Sequence, residues 1–326
     1  MDEILHATPG NPVPGNHVTG FFDGYRGVKL RYAIFRSEEH MSMGTVVLIQ
    51  GRNESIEKYY ETIKDLTARG LWVATFDLRG QGGSERLLKN PRTGHVRRFS
   101  HYVRDLEIFL EQVVLPDTRL PFFMLAHSTG GLIALSAAPR LVNRIDRMVL
   151  CAPFVGLAKQ SISNSKVYWL TMLMSLFGFG ARPMTKDGPL EEFATNALTS
   201  DVARFTRNQQ IEETRPELAI GPPSARWLYE CMKAMYRVNM PAHLYSITVP
   251  TVMIAPTREE VVSYEAEERM SQYFRAAQFV PVAGSRHEIL QESDYYRGQA
   301  LAAIAAFIPG SEAEEQAKQA LEPSAP

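Results

Sequence analysis

Cysteine is almost missing: Cys151 and Cys231 are the only two in 326 residues. That excludes a disulfide framework and the paired spacing of a structural zinc site, and it fits a reducing compartment. Charge of one sign is missing too, because 35 Lys plus Arg stand against 36 Asp plus Glu for a net charge of −1. No whole-molecule field draws such a chain onto a phosphate backbone, so nucleic acid is not expected as a partner. Nor is there an apolar run of membrane-crossing length. The most apolar stretch, Val167 to Phe179 (VYWLTMLMSLFGF), falls short of the ~20 residues needed. The opening MDEILHATPGNPVPGNH carries acids and prolines where a secretory signal places positive charge and then an apolar core. A cytoplasmic protein is expected, at most peripheral to the inner membrane.

What is present is ordinary globular composition, with 45% hydrophobic and 22% charged residues. After a Pro- and Gly-containing arm to about His17, Val28 to Phe35 alternates like a half-buried strand, and Thr45 to Gln50 (TVVLIQ) reads as a strand covered on both faces. A helix follows, with Ser55 as its cap, Ile56, Tyr59, Tyr60 and Ile63 on one face and Gly70 as its stop. The alternation continues with strand 72–76, helix 102–114, strand 122–125, helix 129–138 and strand 148–151. It resumes with strand 251–255, a helix at 264–274, strand 278–282 and a last helix through 301–307. Strands alternating with helices predict a mostly parallel, doubly wound α/β sheet. Pro281 predicts an edge position for the last strand, since proline cannot donate to a ladder. The Met- and aromatic-rich interval breaks this rhythm. The expected organisation is core 1–151, helical cap 152–246, core 247–309 and a mobile tail 310–326.

Chemistry concentrates at Ala126-His-Ser128-Thr-Gly130-Gly, between a buried strand and a helix. A nucleophile elbow needs small residues two positions either side of its serine, and Ala126 and Gly130 supply them, alanine standing where glycine is usual. The plain alternative is a helix-capping serine. Hydrolases of this architecture run serine, acid, histidine along the chain. His287 lies in the loop after the last strand, and its plain alternative is a loop histidine bonded to Glu288. His127 adjoins the serine and is expected to point away. The loop after strand 251–255 offers Glu259 and Glu260, of which Glu259 is preferred as the acid that orients the imidazole. For the oxyanion hole, Gly51 permits close approach and the amides of Arg52 and Thr129 are the candidate donors. The guanidinium of Arg52 is a candidate contact for a phosphate-bearing head group, or else a surface pair with Glu54. Asp77-Leu-Arg-Gly-Gln-Gly-Gly-Ser84 looks superficially like a dinucleotide loop, but Glu85 holds the final glycine position, so it reads as a structural turn.

Taken together, these motifs resemble the α/β-hydrolases of the lysophospholipase L2 and monoacylglycerol lipase type, in the serine aminopeptidase S33-like group. The resemblance runs from Asn11-Pro-Val-Pro14 through Gly51-Arg-Asn-Glu54, Asp77 to Gly82, the serine motif and Gly284-Ser-Arg-His-Glu-Ile-Leu290. Leu198-Thr-Ser-Asp201 and Pro216-Glu-Leu-Ala-Ile-Gly221 look like the lysophospholipase branch. Ala126 and Glu259 depart from the usual glycine and aspartate. The resemblance implies an α/β-hydrolase fold and a serine hydrolase of lipid esters, a lysophospholipase first, needing neither metal nor cofactor. A monoacylglycerol lipase or general carboxylesterase comes next. A proline-iminopeptidase-like enzyme would need an acidic cap cluster such as Glu191, Glu192, Glu212 and Glu213, and a catalytically dead ligand-binding member is the last alternative. Substrate contacts are expected from Trp169, Met172, Leu176 and Phe177, with Leu173, as the roof of an acyl pocket or a surface dipping into lipid. The bland alternative is a lid helix packed on the core.

Overall fold

The computed structural model describes residues 4–39, 42–158, 162–188 and 191–308. The expected tail, 310–326, lies outside them. The β-branched and apolar runs form β1 (His17–Asp23), β2 (Lys29–Phe35), β3 (Thr45–Ile49), β4 (Trp72–Phe76), β5 (Phe122–His127), β6 (Arg147–Cys151), β7 (Thr251–Pro256) and β8 (Ala277–Val282). They join one sheet in the order β1-β2-β4-β3-β5-β6-β7-β8. β2 pairs antiparallel with β1 and β4, and every pairing from β4 across to β8 is parallel. β3, β5 and β7 are buried at every position, as strands covered on both faces must be. Pro281 does sit in the edge strand β8.

The helices are α1 (Tyr60–Thr67), α2 (Ser100–Phe109), α3 (Leu115–Asp117), α4 (Thr129–Ala137), α5 (Asn164–Leu176), α6 (Val202–Thr214), α7 (Ala225–Val238), α8 (Pro241–Tyr245), α9 (Tyr264–Ser271) and α10 (Asp294–Phe307). One apolar cluster joins the sheet to α2, α4, α7 and α9. A second joins its other face to α1 and α10. The chain leaves the sheet after Cys151 and re-enters it at Thr251, with α5 to α8 between.

The structure departs from sequence expectation at several places. β1 is not among the expected strands: Val18 to Phe22 does not alternate, and only Phe22 of that strand is buried. Ser55 makes no capping bond; the run opens with a 3₁₀ turn, Ile56–Tyr59, whose first amide is held at 3.1 Å by Oδ1 of Asp77. That aspartate explains the glycine-rich turn after β4. Its Oδ2 accepts from the Gly83 amide at 2.7 Å and from Nε of Arg31 at 2.6 Å, and Arg31 also bonds both oxygens of Glu57 at 2.7 Å. All three charges are buried. A Cβ on Gly82 would lie 2.2 Å from the Asp77 carboxyl carbon, and one on Gly83 2.4 Å from Arg31. The turn is therefore a wrapper for a buried ion cluster.

α5 is the larger surprise. Its inward side is Val167, Thr171 and Ser175, four residues apart, packed on α7 with Tyr168 meeting Tyr229 at 5.4 Å between ring centres. Trp169, Leu176 and Phe177 are 56%, 72% and 69% exposed, Leu170 and Leu173 share that outer side, and Met172 is half-buried at its edge. The small and hydroxylated residues allow close approach to α7, so the bulky ones are left outside. α5 does pack on the core-forming α7, as the lid reading has it, but through its small side, and the bulky stripe faces out.

Candidate active site

Ser128 stands between β5 and α4 with φ 51° and ψ −115°. A non-glycine residue in that region stores about 1–3 kcal/mol of strain and persists only where neighbours over-determine it. Here its amide donates to the Cys151 carbonyl at 3.0 Å, and its own carbonyl accepts from the amides of Phe154 at 2.9 Å and Leu132 at 3.2 Å. The small neighbours are required by close approach. A Cβ at Gly130 would lie 2.3 Å from the Ile49 carbonyl oxygen and 2.6 Å from that of Gln50. Ala126, two residues before the serine in β5, is fully buried between Ile49 and Leu150, and the sheet accommodates its methyl.

His287 is carried over this edge by the turn after β8. Its Nε2 lies 3.0 Å from the Ser128 hydroxyl oxygen, and its Nδ1 lies 2.8 Å from Oε2 of Glu259. A carboxylate can only accept, so the proton belongs on Nδ1 and Nε2 is left to receive the serine's. Glu259 follows β7, and its Oε1 accepts from the amides of Val261 at 2.7 Å and Val262 at 3.2 Å. Burial pushes this carboxyl upward, but the imidazole and the two amides outweigh it and hold it below the ordinary glutamate value. Glu260 is exposed. Glu288 does not bond the imidazole; its carboxylate meets Nζ of Lys58 at 2.5 Å. Sequence reasoning thus named three side chains that the fold brings together.

The loop after β3 is laid against the start of α4 by the glycine contacts just described. Gln81 fixes it, donating to the carbonyls of Gly51 at 2.7 Å and Glu54 at 3.0 Å. Thr129 opens α4, where helical amides have no intrahelical partner. Among the described residues neither its amide nor that of Arg52 donates to a protein acceptor. The expected pair of Arg52 with Glu54 is not made. Glu54 turns inward to the Gly51 amide, the Tyr59 hydroxyl at 2.7 Å, Lys58 at 3.2 Å and His127 at 3.2 Å.

His127 points away from the serine, as expected, yet it supports the site. Nδ1 faces Oε2 of Glu54 at 3.2 Å and Nε2 faces the backbone carbonyl of His287 at 3.2 Å, with the two rings 4.9 Å apart. Two acceptors require two donors, so the ring carries both protons. Burial lowers its pKa, the Glu54 carboxylate raises it, and the carboxylate wins. The available signal was strand alternation, which turns the residue before the serine toward the loop that bears Glu54. A second feature had no local signal. Glu267 in α9 is buried with neither carboxyl oxygen bonded, and burial together with the Glu259 charge raises its pKa well above the usual value. The predicted substrate contacts, Trp169, Met172, Leu176 and Phe177, belong to the outer side and edge of α5 and its C-terminal end, turned away from its packed face.

Comparison with known proteins agrees with this fold. The family described as serine aminopeptidase, S33 matches residues 41–294. Lysophospholipase L2 of Escherichia coli (strain K12) is 33% identical over 304 residues, covering 88% of this chain and 86% of that protein. Probable lysophospholipase L2 of Haemophilus influenzae is 29% identical over 293 residues, covering 89% and 91%. The crystal structure of a soluble variant of monoglyceride lipase from Saccharomyces cerevisiae, in complex with a substrate analog, superposes with a TM-score of 0.73 at 20% identity, covering 90% and 94% of the two chains. That last likeness concerns the fold. With a family match across the sheet, the serine motif and the histidine loop, this chain belongs to the serine aminopeptidase S33 family of α/β-hydrolases.

Proposed function

We propose that this chain is a serine hydrolase that cleaves carboxylic esters of lipids through an acyl-enzyme, with lysophospholipids as its substrates. Ser128 is the nucleophile, His287 the base and Glu259 the group that orients it. The Ser128 proton passes to Nε2 of His287 as the oxygen attacks the ester carbonyl. Negative charge on the carbonyl oxygen is met by the amides of Arg52 and Thr129, for which Gly51 leaves room. The alcohol leaves with the proton from His287, and water repeats the sequence to free the acid. One observation carries the reading: a serine hydroxyl 3.0 Å from an imidazole that is itself 2.8 Å from a buried carboxylate.

Similarity to two lysophospholipases L2 across most of their length supports the substrate class. An aminopeptidase reading needs acids to hold a substrate amine. Glu191, Glu192 and Glu213 are exposed, and Glu212 is paired with Arg92 at 3.3 Å. Residues 152–246 serve as the cap in this reading, and the exposed apolar side of α5 rests on the lipid surface that supplies substrate. In this reading the contact with lipid is peripheral; no helix among the described residues is long and apolar enough to cross a membrane.

A fluorophosphonate should label the wild type and leave Ser128→Ala unlabelled, with turnover of lysophosphatidylcholine falling on the order of 10⁴-fold or more. Parallel rates on a monoacylglycerol, p-nitrophenyl esters and a prolyl-naphthylamide rank the substrate classes. Labelling of Ser128→Ala, or preference for the amide, would sink the reading.

A further inference from the structure

The amide of Arg52 has a place in the proposed mechanism; its side chain has none. The guanidinium carbon lies 5.6 Å from the centre of the Trp227 ring, and Nη2 donates to the Gly221 carbonyl. Nε is buried with no hydrogen-bond partner. Among the described residues no carboxylate pairs with this cation, because Glu54 is wholly engaged elsewhere. Other buried arginines differ. Arg31 meets Glu57 and Asp77, Arg79 meets Asp105, and Arg297 meets Asp65. A guanidinium taken out of water without a counter-charge is costly, and an indole face returns only part of that cost. Desolvation lowers its pKa to about 10, with only Tyr102 and Cys231 opposing, so it remains a cation at neutral pH.

Its position relates it to the serine. Trp227 stacks on Phe154 with ring centres 6.1 Å apart and planes at 20°, and the Phe154 amide donates to the Ser128 carbonyl. Arg52 is thus linked to the serine through two buried rings, Trp227 beside its guanidinium and Phe154 whose amide bonds the Ser128 carbonyl, and the residue as a whole keeps partial exposure. One residue offers an amide to the reacting carbonyl and, several bonds away, an uncompensated planar cation. An acylglycerol whose third carbon bears an anion likewise carries an ester carbonyl and a negative charge several bonds apart.

Resting on the ester-hydrolase reading, we propose that the Arg52 guanidinium is the receptor for a phosphate group on the alcohol portion of the substrate, and that it makes the enzyme favour phosphate-bearing acylglycerols over neutral ones. The phosphate supplies the missing counter-charge and can accept two parallel N–H bonds.

The test compares a short-chain lysophosphatidylglycerol with the monoacylglycerol of the same acyl group, both below their micellar concentrations, for wild type, Arg52→Gln and Arg52→Lys. Both variants keep the backbone amide, so any disturbance of the oxyanion loop falls on both substrates and cancels in the ratio of kcat/KM. The ratio should drop at least tenfold in Arg52→Gln, mainly through KM of the phosphate ester, and recover partly in Arg52→Lys. Inorganic phosphate supplies an arm independent of turnover: it should raise the melting temperature of the wild type and not that of Arg52→Gln. A ratio effect with a phosphate response assigns a site for the anion itself; a ratio effect alone assigns one that needs the attached glycerol, and either supports the receptor. An unchanged ratio in both folded variants overturns it, even with full ester activity. Should the wild type cleave neither ester, the functional reading fails, and a phosphate response equal in wild type and Arg52→Gln then removes the receptor as well.

Discussion

The rim above β5, β7 and β8 and the outer side of α5 obey opposite rules. At the rim, Ser128, Glu259 and His287 are held by hydrogen bonds from elements far apart in sequence, and the buried Glu54, Glu288 and His127 beneath them are paired with one another or with Lys58. On α5, large apolar side chains stand in solvent while small polar ones are buried. Chemistry needs atoms fixed within a fraction of an ångström, which takes a satisfied, dense environment. Contact with a fluid lipid surface needs apolar area and little else.

Three measurements would break or sharpen that contrast. The largest effect is expected in the buried ion cluster under the oxyanion loop. Arg31→Met leaves Asp77 and Glu57 without their cation and should lower unfolding free energy by about 3–5 kcal/mol in urea titration. A loss below about 1 kcal/mol would mean that the rim does not depend on this support.

Next comes His127, where replacement by Gln should remove about 1–3 kcal/mol near pH 6, through a lost charge-assisted bond to Glu54 and a weaker hold on the His287 carbonyl. The folded pKa of His127 is raised above its unfolded value near 6.5. Its stabilising contribution is therefore complete below about pH 6.5 and is lost as pH rises through the folded value. The melting-temperature gap between wild type and His127→Gln should narrow from pH 6 upward. A gap that widens would show that the ring is neutral. Glu259 works in the opposite direction, its contribution vanishing as pH falls through a value below the ordinary one.

The smallest stability effect belongs to α5. Trp169→Ser, Leu176→Ser and Phe177→Ser should each change unfolding free energy by no more than about 0.5 kcal/mol, since these side chains are already in water. The triple variant should lose co-sedimentation with anionic phospholipid vesicles. Strong destabilisation would instead place these residues in a packed interface.

Much of this was legible beforehand, and the limits have physical causes. Strands β3 to β7 announce themselves because strands covered on both faces need unbroken apolar runs, whereas β1 sits at an edge with one buried residue and leaves almost no pattern. Glu259 was distinguishable from Glu260 only by its place before the valine pair whose amides it binds. The direction of α5 was not legible: Val167 to Phe179 is apolar nearly all round, and periodicity cannot choose which side packs.

Local sequence by itself determined the parallel sheet, the strained turn at Ser128 and the order serine, acid, histidine, because strand patterning, small residues and chain order are properties of neighbours along the chain. Tertiary structure alone decided that Glu54 serves His127 and leaves Arg52 without a counter-ion, that Asp77 closes a buried cluster, and that the bulky side of α5 faces out. Each of those outcomes is a competition among groups distant in sequence for one partner or one surface, settled only when the fold fixes the distances between them.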